Sequence, residues 1–160
     1  MFGDLGGDTI DVILRHQLVG HIACHTKELT YLVPVSYAYN NGYVYVHTHE
    51  GMKIDMMRQN PKVCFAVHRM ENMANWQSVI AWGIFEEVTD EAAREEALQI
   101  LLKRNLPVIT GKTIQLTPDW PFVPKEDLNK IIGGIVFRIK LTIKTGKYER
   151  GELLFIDTFI

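Results

Sequence analysis

Asn40-Asn41-Gly42 lies between two β-prone runs, Thr30 to Tyr39 and Tyr43 to Thr48. Asn-Gly is a strong hairpin signal, because the central residues of the tightest hairpin turn need positive φ. The two runs are therefore expected to be antiparallel neighbours. Val19 to Thr26, Lys62 to Met70, Trp76 to Val88 and Gly134 to Thr145 also read as strands. Ile10, Ile13, Leu14 and Leu18 fall at helical spacing, predicting a helix over Thr9 to Leu18 with Asp8 or Thr9 as its N-cap and Gly20 closing it. A short helix is expected over Gly51 to Gln59, stopped by Asn60-Pro61, since proline disfavours helix in the residue before it. A longer helix should cover Asp90 to Arg104. Its acids crowd the start and Lys103-Arg104 the end, matching the macrodipole, and Ala93, Ala97, Ile100 and Leu101 give it an apolar stripe. Leu106 to Pro124 holds four of the six prolines and reads as irregular.

Hairpin links and few helices argue against a doubly wound parallel sheet, in which strand and helix alternate. The expectation is a mainly β fold with peripheral helices, built on a six-stranded antiparallel barrel that leaves few open edges. No repeat or linker-like tract divides the chain, so residues 1–160 are taken as one domain.

Composition narrows the function classes. With 17 basic and 19 acidic residues the net charge is −2, which excludes a strongly basic nucleic-acid binder. At 47% hydrophobic and 22% charged, the chain is not a disordered tail. No apolar run approaches the ~20 residues of a membrane helix, and Met1 to Asp8 has no apolar signal core. Cys24 and Cys64 lie in strand-like runs, where a free cysteine acts as a small hydrophobe. The expected compartment is the cytoplasm.

The most informative stretch is Tyr43 to Lys53, in which a strand ends at His47-Thr48 and a helix begins at Gly51-Met52-Lys53. Free N–H groups and the dipole at a helix start favour an anion, Lys53 adds a full positive charge, and Thr48 or His49 can donate hydrogen bonds. The same pattern also fits a capped surface helix with a solvated lysine. His49-Glu50 begins like a zinc-protease helix, but Lys53 stands where the second histidine belongs, so no metal site is assigned. Pro34, within Tyr31 to Tyr37, cannot donate to a ladder and marks an edge or a break in pairing, with backbone groups free for a flat heterocycle or simply an ordinary edge strand. Trp76, Ser78 and Ile80 share one strand face, where Ser78 could offer a hydroxyl beside an aromatic wall, or Trp76 could be plain core. Trp120-Pro121 reads as a lid over a pocket or as a hydrophobic plug.

Taken in order, Val19 to Ala23, Val33 to Tyr39, Tyr45 to Lys53, Asn60 to Phe65, Trp76 to Val79 with Gly83, and Thr145-Gly146-Lys147 resemble the pyridoxamine 5′-phosphate oxidase-related split-barrel proteins, in their nitroimidazole-resistance-like branch. The resemblance runs from about Ile10 to Lys147, leaving 148–160 as a tail. It implies a split β-barrel homodimer that binds flavin mononucleotide (FMN) at the subunit interface. Lys53 and the turn through Met52 would hold the phosphate, and His47 and Thr48 would touch the phosphate and ribityl chain. Val33, Pro34, Val35 and Ser36 would face the isoalloxazine ring, and Ser78 would reach the cofactor.

Two departures argue against pyridoxamine phosphate oxidation. Met52-Lys53 replaces an Arg-Lys pair, removing a bidentate phosphate contact, and only Arg138 and Arg150 stand near the C-terminus where the oxidase has substrate-phosphate arginines. The expected function is a flavin-dependent oxidoreductase of small molecules, nitro compounds among them. Hydride transfer at the ring calls for no acid–base side chain, so no catalytic residue is assigned. The alternative is a haem-binding or haem-handling split barrel with His47, His49 or His21 as axial ligand; a deazaflavin is a variant of the first reading. The apolar tail Leu153-Leu154-Phe155-Ile156 adds to the expectation of a homodimer, because it needs a cover.

Overall fold

A computed structural model describes residues 1–104, 106, 111–112, 114–117 and 127–151 of the chain. Strand β1 (Phe2–Asp4) and helix α1 (Gly7–His16) lead into β2 (Val19–His25), β3 (Thr30–Ser36), β4 (Ala38–Asn40) and β5 (Tyr43–Thr48). Helix α2 (Met52–Gln59), the long strands β6 (Lys62–Asn72) and β7 (Asn75–Glu87) and helix α3 (Glu91–Leu102) follow. A single turn, α4 (Leu128–Ile131), precedes β8 (Ile135–Arg150).

The strands form one antiparallel sheet in the order β3-β2-β6-β7-β8-β5-β4, with β1 added to β8. The sheet curls until β3 and β5 approach each other. Their approach carries no ladder among the described residues, so the barrel is split along that seam. Phe65, Val79, Phe137 and Ile139 fill its interior, and Ile13 and Leu14 of α1 join the same core. Ala97, Leu98, Leu101 and Leu102 of α3 pack instead with Ala38, Tyr45 and Val136, on the other side of β4, β5 and β8.

Eight strands replace the expected six, for two reasons. The terminal β1 pairs Phe2 to Asp4 with Glu149 to Lys147, a contact too short to show as a pattern. The run Thr30 to Tyr39 breaks at Tyr37, whose side chain is buried and donates to Leu14 O at 2.7 Å, while its N–H donates to Leu18 O. The chain changes partner there: β3 pairs with β2, and only the short β4 pairs with β5. The turn itself is as expected. Asn41 (φ 47°) and Gly42 (φ 82°) are both left-handed, and Asn40 opposes Tyr43.

Helix α1 begins and ends two residues earlier than predicted, with Gly6 as its N-cap and no side-chain cap; Asp8 lies in its first turn. Helix α3 is capped by Asp90, whose carboxylate accepts from Ala93 N. Helix α2 ends at Asn60, which is extended before Pro61. Gly20 lies inside β2 rather than closing α1, and close packing explains it. A Cβ on Gly20 would stand 2.3 Å from Phe65 Cζ, and Phe65 is fully buried with its ring edge-on to Tyr37 at 4.9 Å. Gly20→Ala is therefore expected to cost about 1–3 kcal/mol in denaturant unfolding, as overpacking does. Adding Phe65→Leu should return part of that loss, and strict additivity of the two costs would show that no clash exists.

Candidate functional site

The seam supplies the site. The β3 lip carries Pro34, Val35 and Ser36, and the β5 lip carries Val46, His47 and Thr48; these line a half-open cavity of about 280 Å³. Val19, Ile114 and Leu116 add apolar surface, and Lys53 and Arg104 add charge. Pro34 sits on an edge strand, as its missing N–H requires.

Lys53 comes from the first turn of α2. That helix's own hydrogen bonding starts with Ile54 and Asp55 donating to Gly51 O, so the N–H groups of Met52 and Lys53 have no intrahelical acceptor. Among the described residues Lys53 makes no ion pair. Burial lowers its pKa, opposed by the nearby Cys24 thiol. Glu50, two residues before the helix, is drawn off by Arg58, which donates to it at 2.8 and 3.0 Å and also to Glu87. The helix start thus keeps its positive character.

His47 donates from Nε2 to Gly133 O at 2.7 Å. Burial, the largest influence, lowers its pKa, so the ring is neutral near pH 7. Thr48 Oγ1 makes only a 3.5 Å contact with His49 O and keeps its hydroxyl available to the cavity.

Arg104 was missed by sequence reasoning, which gave it only a place at the end of a helix dipole. Its Nη1 donates to Ser36 Oγ at 2.8 Å, its Nε is buried with no hydrogen-bond partner, and burial pushes its pKa down to about 10. No local pattern marks such a residue; its role comes from the end of α3 meeting the β3 lip. No carboxylate lies among the described residues lining the cavity. With apolar, hydroxyl, imidazole and cationic groups in one lining, the interior suits a ligand that combines an apolar part with anionic or electron-rich groups.

Pro34, Val35, Ser36, His47, Thr48 and Lys53 are thus brought together. Val33 is half-buried against the barrel core, and Met52 is 53% exposed beside Lys53; neither side chain lines the cavity. Ser78 is on the outer face of β7, between His68 and Lys147, outside the cavity of its own chain. Trp76 is not core: its indole donates to Glu149 at 3.0 Å and packs on Phe2. Trp120-Pro121 and Leu153 to Ile156 lie outside the described residues.

The cavity's β3 lip borders an apolar outer sheet face. Leu32 opposes Ala23, Ala23 opposes Cys64, Cys64 opposes Trp82 and Trp82 opposes Ile143, giving one row across five strands. Pro34, His21, Ala66, Ile80 and Thr145 form the next. Leu32, Trp82 and Ile143 are 64%, 43% and 59% exposed, an apolar patch that calls for a cover. No helix among the described residues is long and apolar enough to cross a membrane.

Comparison with known proteins bears on the family and the fold. Residues 7–118 match the family model described as pyridoxamine 5′-phosphate oxidase. An uncharacterized protein of Rhizobium meliloti is 33% identical over 70 residues, 44% of this chain and about half (46%) of that relative. The crystal structure of an FAD-binding protein from Mesorhizobium loti superposes with a TM-score of 0.68 at 26% identity, covering 92% of this chain and 98% of that one. A candidate 5-nitroimidazole antibiotic resistance protein from Bacteroides thetaiotaomicron shares the fold, with a TM-score of 0.66 at 19% identity over 92% of this chain and 87% of that one.

Proposed function

The chain belongs to the pyridoxamine 5′-phosphate oxidase family, and from that premise we propose that it is a flavoprotein, a small-molecule oxidoreductase holding FMN in the seam between β3 and β5. The observation that carries this reading is the cavity itself: lips that mix apolar and hydrogen-bonding side chains, two cations and no lining carboxylate among the described residues. Lys53 and the N–H groups at the start of α2 hold the phosphate. Thr48 donates to the ribityl–phosphate end, while His47 positions the β5 lip through Gly133. The backbone of Val33 to Ser36 lies along the ring and excludes water from one side of it. The bound flavin supplies the electron chemistry.

The working unit is a homodimer joined through the outer face of β2, β6, β7 and β8. Ser78 lies on that face, on the same side of the sheet as Pro34. Its place in the cofactor site is reached from the second copy, which explains why it is outside the cavity of its own chain. A haem reading needs a free axial histidine. His47, the one histidine among the described residues lining the cavity, has its Nε2 engaged by Gly133 O, and His21 and His49 do not line the cavity, which favours the flavin. Small electron acceptors, nitro compounds among them, are the substrate class.

An absorption spectrum of the purified protein, followed by titration with FMN, FAD and riboflavin, tests the reading. Flavin bands and tightest binding of FMN are expected. A haem Soret band without flavin bands would overturn it. Tighter binding of FAD would replace FMN by the longer cofactor.

A further inference from the structure

Arg104 is half-buried, its one described hydrogen-bond partner is neutral, the Ser36 hydroxyl, and its buried Nε–H faces no acceptor. A buried charge is costly without a counter-charge, and a methionine or leucine would pack there at less cost. The cavity it lines offers none among the described residues. Arg104 reaches the cavity from just beyond α3 and is anchored on Ser36, in the β3 segment that the flavin reading lays along the ring, whereas Lys53 enters from the first turn of α2, where that reading puts the phosphate.

We infer that Arg104 is a second ligand-binding cation, holding the electron-rich pyrimidine edge of the flavin ring from the Ser36 end of the β3 lip. This rests on the flavin reading above. The N1 and C2-carbonyl edge of the ring accepts hydrogen bonds and gains negative charge on reduction, and a fixed guanidinium there favours the reduced form. The planar fork of arginine suits such an edge better than the point charge of a lysine. Ser36 holds the fork in place.

The test uses full-length protein and compares Arg104→Gln, Arg104→Lys and Lys53→Ala. Dissociation constants for FMN and for riboflavin, which lacks the phosphate, are read by fluorescence quenching at fixed salt. Midpoint potentials are read against a reference dye, and melting temperatures on the ligand-free protein. Arg104→Gln should weaken FMN and riboflavin alike, each about tenfold, as when one charge-assisted hydrogen bond is lost. It should make the potential more negative and leave ligand-free melting unchanged or higher. Arg104→Lys should recover part of the potential, while Lys53→Ala should weaken FMN far more than riboflavin. Loss confined to FMN would place Arg104 at the phosphate and overturn the inference. So would unchanged affinities and potential, or lower ligand-free melting in both Arg104 variants with no shift in potential. A wild-type protein that binds no flavin would instead overturn the flavin reading itself, and this inference with it.

Discussion

Lys53→Ala is expected to weaken FMN binding by about 1–3 kcal/mol, the range for hydrogen bonds to charged groups. The lysine is partly buried, and burial already lowers its pKa, so an incoming anion relieves a cation that the fold has partly desolvated. Screening by salt is weaker for such a pair than for an exposed one. The deficit of the variant should therefore persist at moderate ionic strength. The backbone N–H groups of Met52 and Lys53 survive the substitution, and they set the floor of residual affinity. Lys53→Arg keeps the charge and should lose less. Equal affinity for wild type and Lys53→Ala, measured by flavin fluorescence quenching at one salt concentration, would mean that the phosphate lies elsewhere.

The parts of this site that were legible in the sequence are those whose chemistry is local. Asn41-Gly42 needs left-handed backbone and has it. Pro34 cannot occupy a central strand and does not. Gly51-Met52-Lys53 starts a helix, and its lysine faces the cavity. What was not legible depends on distant segments meeting. The run Thr30 to Tyr39 is uniformly β-prone, and nothing in it says that Tyr37 will turn inward to Leu14 and hand the chain from one lip to the other. That single change of partner makes a seam where a closed barrel would have had a hydrogen-bonded ladder. Arg104 acquires its meaning only there, because the end of α3 reaches Ser36 across some seventy residues of sequence.

Ser78 shows the same dependence one level up, and its test has the largest expected effect. Ile80 and Trp82 stand beside it on the outer face, 41% and 43% exposed. Burying the exposed two-fifths of one such side chain contributes about 0.6–1.2 kcal/mol. In a two-fold dimer every substitution occurs twice, so Ile80→Lys or Trp82→Glu should weaken association by about 1.2–2.4 kcal/mol of lost apolar burial, with the larger cost of burying two new charges added to that. Sedimentation equilibrium should show a dimer for wild type and a monomer for either variant at micromolar concentration. Folding should be nearly unaffected, because exposed substitutions away from special contacts usually change stability by about 0.5 kcal/mol or less. FMN affinity should fall together with dimerisation, since each cavity then lacks the Ser78 of the second copy. It should recover partly when protein concentration is raised, as mass action requires. A monomer that keeps full FMN affinity would show that one chain completes the site alone. A dimer that survives both substitutions would place the interface on another face, and Ser78 would then have no route to the cofactor.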